Sequence, residues 1–157
     1  MQGIMPCLWF DTQAEDAAKF YVSVFKNAKI TAVSHYGETG PGPKGSAMTV
    51  MFELDGKQYM GLNGGPHFKF TPAVSLVVNC DSQDEIDYYW DKLSADGGQT
   101  VECGWLTDKF GLSWQIVPAN MRDLVAGDPA RAGRVMQEVM KMKKLDIATL
   151  QRAYDGR

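Results

Sequence analysis

Two histidines and three cysteines are all that a chain of 157 residues offers in imidazole and thiol chemistry. His35 and His67 lie far apart, so a His-rich metal centre has little to be built from. Cys7, Cys80 and Cys103 are odd in number and form no C-x-x-C, which excludes a disulfide framework and a zinc knuckle and suits a reducing compartment. Positive charge is not in excess: 16 Lys and Arg face 19 Asp and Glu, a net charge of −3 that gives no basic face for nucleic acid. No run approaches the roughly 18 apolar residues of a membrane span. The opening MQGIMPCLWFD lacks the basic start and apolar stretch of a secretory leader, so the expected location is cytoplasmic. With 45% hydrophobic residues, the chain can bury a core as one soluble domain, 1–157.

What is present is a repeat. IMPCLWFD leads into TQAEDAAKFYVSVFKN, and AVSLVVNCD leads into SQDEIDYYWDKLSADG. At an offset of 70, Asp11, Gln13 and Glu15 meet Asp81, Gln83 and Glu85, and Phe20 meets Trp90. Thr12 with Glu15, and Ser82 with Glu85, have the spacing of a capping box, in which side chains satisfy the free amides of a helix start. Three strand-like runs follow the first helix, KITAVSHYG, SAMTVMFELDG and KQYMGLN, with Asp55-Gly56 as a hairpin turn. After the second come QTVEC, the stretch around Trp105, and LSWQIV beyond a turn at 108–111. The pattern is βαβββ twice, an α+β fold: module one at about 1–66, module two at about 67–119, and a helical tail at about 120–157. Each sheet must cover one face with a helix and can curve its other face around a cleft. In the tail, Asp128-Pro129 and Asp146 read as helix starts, and Val135, Met136, Val139, Met140 and Met142 as an apolar stripe for a lid or a dimer surface.

PCLWFD…AEDAAKFY, LNGGPHFKFTPAVSLVVNCDSQDEIDYYW and CGWLTDKFGLSWQIVP together resemble the PhnB-like branch of the vicinal oxygen chelate superfamily, whose members include glyoxalase I, extradiol dioxygenases and bleomycin-resistance proteins. Proteins of this branch often carry the label 3-demethylubiquinone-9 3-methyltransferase. The resemblance implies paired βαβββ modules, a homodimer, and metal ligands from the first and last strand of each module. Carried over by position, those slots fall at or near Pro6, at Met60, at Ser75 or its apolar neighbours, and at Gln115; the set lacks the His, Asp, Glu or Cys ligands a divalent ion needs. The expectation is therefore no metal and no cofactor.

Gln115 shares a strand face with Ser113 and Val117, where a neutral amide can orient a polar ligand group or simply bond to a neighbouring strand. Met60, Trp105, Phe68 and Phe70 complete the candidate ligand-binding set; in FKFT the alternation puts Phe68 and Phe70 on one face. Trp9, Phe10 and Trp114 join them among the aromatics expected to border the cleft, although core packing accounts for most such residues. The cysteines read as buried and inert because no activating base is evident. GPGPKG, residues 40–45, matches G-x-G-x-x-G, but a strand follows it where a dinucleotide site requires a helix, so it reads as a hairpin loop. The expected function is binding of a small organic molecule without a conventional metal site. An enzyme of the same superfamily, including the methyltransferase of the label, is the first alternative, and a structural dimer with no ligand the second.

Overall fold

The structure, a computed structural model, describes residues 3–157. The chain divides after Phe70 into two compact units, each with a four-stranded sheet.

In the first unit β1 (Cys7–Phe10), α1 (Ala14–Val24), β2 (Ala28–His35), β3 (Ala47–Leu54) and β4 (Lys57–Asn63) form a sheet in the order β1-β4-β3-β2. Ala14, Ala17, Ala18, Tyr21 and Val24 recur at helical spacing and are buried. They lie over β3, whose alternate residues Val50, Phe52 and Leu54 are buried in turn. Burying side chains of that size contributes about 1.5–3 kcal/mol each. Close approach of α1 to β4 requires small residues on both sides: a Cβ built on Gly61 would stand 3.1 Å from that of Ala14. Asp55 and Gly56 both have positive φ, 48° and 74°, as the two-residue turn between β3 and β4 demands.

The second unit repeats the order with β5 (Ser75–Cys80), α2 (Gln83–Leu93), β6 (Gln99–Thr100), β7 (Trp105–Thr107) and β8 (Ser113–Pro118), sheet order β5-β8-β7-β6. In both sheets the first strand pairs in parallel with the last. Cys7 lies opposite Met60, and Val77, seventy residues on, lies opposite Gln115, so Met60 and Gln115 are equivalent positions of the repeat. The expected caps differ in outcome. Ser82 Oγ accepts the Glu85 N–H at 3.2 Å, and Glu85 reaches back to the Asp81 N–H at 2.8 Å. Thr12 does not cap α1: the Ala14 N–H is donated to Asn63 Oδ1 at 2.8 Å, because the end of β4 brings a stronger acceptor to that point.

Three helices follow: α3 (Met121–Val125), which the sequence pattern does not single out, α4 (Pro129–Val139) and α5 (Ile147–Asp155). Asp128 and Asp146 cap the last two, through the Ala130 and Arg131 N–H groups and the Thr149 N–H. Leu124, Val135, Val139, Leu145 and Leu150 make a small core of their own, while Met136 and Met140 of the expected stripe are exposed. Hydrogen bonds from two segments tie the tail to the rest of its unit, alongside an ion pair of 2.8 Å between Lys144 and Asp87 on α2. Cys103 and Gly104 donate their N–H groups to the carbonyls of Met142 and Lys143, at 2.8 and 2.7 Å. Gln83 donates to Leu145 O at 3.1 Å and accepts the Ile147 N–H at 2.9 Å.

Candidate functional site

Strand β8 is set by its entry turn. Asp108, buried, accepts the N–H groups of Phe110 and Leu112 through Oδ1, at 2.8 and 3.1 Å, and the Trp114 indole N–H through Oδ2, at 2.9 Å. Trp114 and Ile116 are thereby fixed on the face covered by α2, both buried. Alternation sends Ser113, Gln115 and Val117 to the other face. Asp108 carries no sequence signal beyond its turn, since what gives it weight is the indole six residues later.

Gln115 is half-buried and stands between Trp105 on β7 and Val77 on β5, its partners in register. Its Nε2 donates to Ser75 Oγ at 2.9 Å, while its carbonyl oxygen meets no partner among the described residues. One row along, Ser113 lies between Thr107 and Ser75; it is buried, and its hydroxyl has no hydrogen-bond partner. A buried orphan hydroxyl is uncommon, and this one belongs to the same strand face as Gln115, two residues along. The face thus combines one oriented acceptor, two hydroxyls and an indole, suited to holding a neutral polar group against a flat surface.

The other candidates lie in the first unit. Met60 is on β4 opposite Cys7, on the face away from α1. Phe68 and Phe70 do not share a face as expected, because residues 67–70 are not a strand. Phe68 packs edge-on against Trp9, ring centroids 5.0 Å apart, whereas Phe70 packs against Phe10, which is buried on the helix side. Phe10 and Trp114 are buried core residues. Ser113, Gln115 and Trp105 are therefore the only candidates brought together on one sheet.

The remaining reactive groups have other settings. Cys80 is buried, and burial, followed by the charges of Glu85 and Asp81, pushes its thiol up to about 12, so it stays protonated. Cys7 departs from the expected burial: it is exposed on edge strand β1. His35 and His67 are both exposed. Among the described residues no three His, Cys, Asp or Glu side chains lie close enough to hold a metal ion. The superfamily's divalent ion does not fit the groups at the matching positions, a thioether at Met60 and an amide bonded to Ser75 at Gln115. The G-x-G-x-x-G match at residues 40–45 joins β2 to β3 and precedes a strand, not a helix.

A family model described as 3-demethylubiquinone-9 3-methyltransferase matches residues 2–117. A solved structure from Bacillus cereus, described as a putative 3-demethylubiquinone-9 3-methyltransferase, PhnB protein, is 36% identical, with 74% of this chain and 99% of that chain covered and a TM-score of 0.67. A protein from Pseudomonas aeruginosa shares the fold at 19% identity, covering 75% and 98% of the two chains with a TM-score of 0.62. No curated protein matches the chain. Two βαβββ modules of this kind define a glyoxalase-like, vicinal oxygen chelate fold. Within it, the chain belongs to the PhnB-like family that carries the 3-demethylubiquinone-9 3-methyltransferase description.

Proposed function

We propose that this protein binds a small organic molecule on the face of the second sheet that carries Gln115, without a conventional metal site. The observation that carries the reading is the half-buried Gln115 amide, turned by Ser75 so that its carbonyl oxygen is left free on the strand face that also carries Ser113, with Trp105 opposite it in register. A ligand with a hydrogen-bond donor on a flat apolar body would satisfy that oxygen and cover the indole. Met60, Phe68 and Phe70, all of the first unit, are proposed as ligand contacts within that unit. The protein is proposed to work as a cytoplasmic homodimer, a reading supported by the exposed Met136 and Met140 on α4 and the residue that follows it; no helix among the described residues is long and apolar enough to cross a membrane.

A thermal-shift screen of metabolites and aromatic compounds, run on the wild type and on Gln115→Leu, tests the reading. At least one compound should raise the wild-type melting temperature and lose most of that effect in the variant. A screen with no stabilising compound, or hits indifferent to Gln115, would overturn it. So would about one equivalent of divalent metal per chain in protein purified without chelator.

A further inference from the structure

A second site is built into the first unit and shares no residue with the Gln115 face. A cavity of about 580 Å³ opens where the parallel strands β1 and β4 both end and α1 begins. That volume falls within the range of small-molecule sites, and crevices beyond the carboxyl ends of parallel strands followed by a helix are a common place for them.

Its walls are held by bonds internal to the unit. Tyr36, buried, donates its hydroxyl to Asn63 O at 2.5 Å, and the Asn63 side chain holds the start of α1 on one side and Ala47 O on the other. The N–H groups of Gly64 and Gly65 are donated to the carbonyls of Phe10 and Asp11, at 3.0 and 3.3 Å. Gly42 lies so flat on the Tyr36 ring that an added Cβ would come within 2.2 Å of it, which seats the loop between β2 and β3 as an apolar wall with Pro41 and Pro43. The opposite wall is acidic. Glu15 is bridged to Lys19 at 3.0 Å, and Lys19, itself part of this wall, also feels the charge of Asp16, whereas Asp11 has no ion-pair partner among the described residues. Thr12, relieved of capping by Asn63, also lines the space with its hydroxyl uncommitted.

Two fields compete there. The N-terminus of α1 presents roughly half a positive charge, which would favour an anion. Asp11, Glu15 and Asp16 carry three negative charges against the one positive charge of Lys19, and the net of two outweighs the helix end, so an anion is repelled and a cation attracted. We propose that this cavity binds a small organic cation, an amine, amidine or guanidinium on a flat apolar body: its charge rests by Asp11 and Asp16, and its body against Tyr36 and the proline-bearing loop.

The test is a series of three molecules of one shape, benzamidine, benzamide and benzoate, titrated at low ionic strength against isotope-labelled protein and followed by amide NMR. Benzamidine should shift the signals of residues 11–16, Gly42, Gly64 and Gly65 in a saturable way and weaken as salt is added. Benzamide should bind more weakly and benzoate not at all. The double variant Asp11→Asn with Asp16→Asn, both exposed and so compatible with folding, should weaken benzamidine about two- to twentyfold. Gln115→Leu should leave the same titration unchanged, which separates this site from the face on β8. Shifts absent from those residues, equal binding of benzoate, or an unaltered affinity in the double variant would overturn the proposal.

Discussion

Asn63 caps a helix that begins 49 residues before it: its Oδ1 receives the Ala14 N–H at 2.8 Å while its Nδ2 holds Ala47 O at 3.0 Å. One side chain thus joins the start of α1, the start of β3 and the end of β4. Asn63→Ala is expected to destabilise the first unit by about 1–3 kcal/mol, the sum of a lost cap and a lost bond to a carbonyl. Thr12→Ala should change stability by less than about 0.5 kcal/mol. Urea unfolding of the two variants checks both; equal losses would show that Thr12 shares the cap.

Gln83 plays a comparable part in the second unit, bonding both Leu145 O and the Ile147 N–H. Gln83→Ala is expected to cost about 1–2 kcal/mol and to speed hydrogen exchange selectively in α5. Uniform loss of protection across the unit would argue against a local clamp.

On β8, Gln115→Leu removes the bond to Ser75 as well as any ligand contact. A stability loss of about 0.5–1.5 kcal/mol is therefore expected, with a separate loss of ligand-induced stabilisation. Gln115→Glu should not confer tight metal binding, since the equivalent position in the first unit remains Met60. Calorimetric titration with zinc or manganese ions checks the second point.

The pH dependence should be concentrated in the tail. The Lys144 ammonium, ahead of the Gln83 amide, holds Asp87 below the usual carboxylate range; the N–H groups of Arg131 and Ala130 do the same for Asp128, and the Thr149 hydroxyl and N–H for Asp146. A carboxyl depressed in the folded state stabilises above its unfolded value, about 3.9, and that contribution is lost as pH falls through the lower folded value. Helicity of the tail should therefore weaken below about pH 4. Because Asn also caps helices, Asp128→Asn with Asp146→Asn should keep most of the helix at neutral pH and flatten the acid response. Circular dichroism across that range is the measurement; an unchanged acid limb would refute the assignment.

Proposed dimerisation predicts a mass near twice 17.4 kDa by light scattering, reduced by Met140→Glu. A concentration-independent monomer would count against it.

How far the sequence could be read follows the range of the forces involved. Ser82, Asp128 and Asp146 act within three residues of themselves, and the helices they start were visible from spacing alone. Thr12 has the same local pattern, but a competitor from β4 displaced it, and nothing near residue 12 announces Asn63. The equivalence of Met60 and Gln115 was legible because the repeat counts from turns, which the parallel pairing of first and last strands preserves. Phe68 and Phe70 misled because alternation has meaning only within a strand, and Trp9 and Phe10 draw the two rings to opposite sides of β1. The GPGPKG segment was recognisable as a loop; its contact with Tyr36 was not, being set by Gly42 lying against a ring six residues earlier.

The junction at Cys103 and Gly104 also bears on where this protein can be divided. The family match ends at residue 117, yet Gly104 gives its N–H to Lys143, and a Cβ there would come within 3.0 Å of Leu145. Cutting the chain after Pro118 would bare the Gln83 amide and strand the two N–H groups of the knuckle. The product would be a domain with a raw, adhesive flank, expected to precipitate on expression. In this chain the tail completes the hydrogen bonding of the second module.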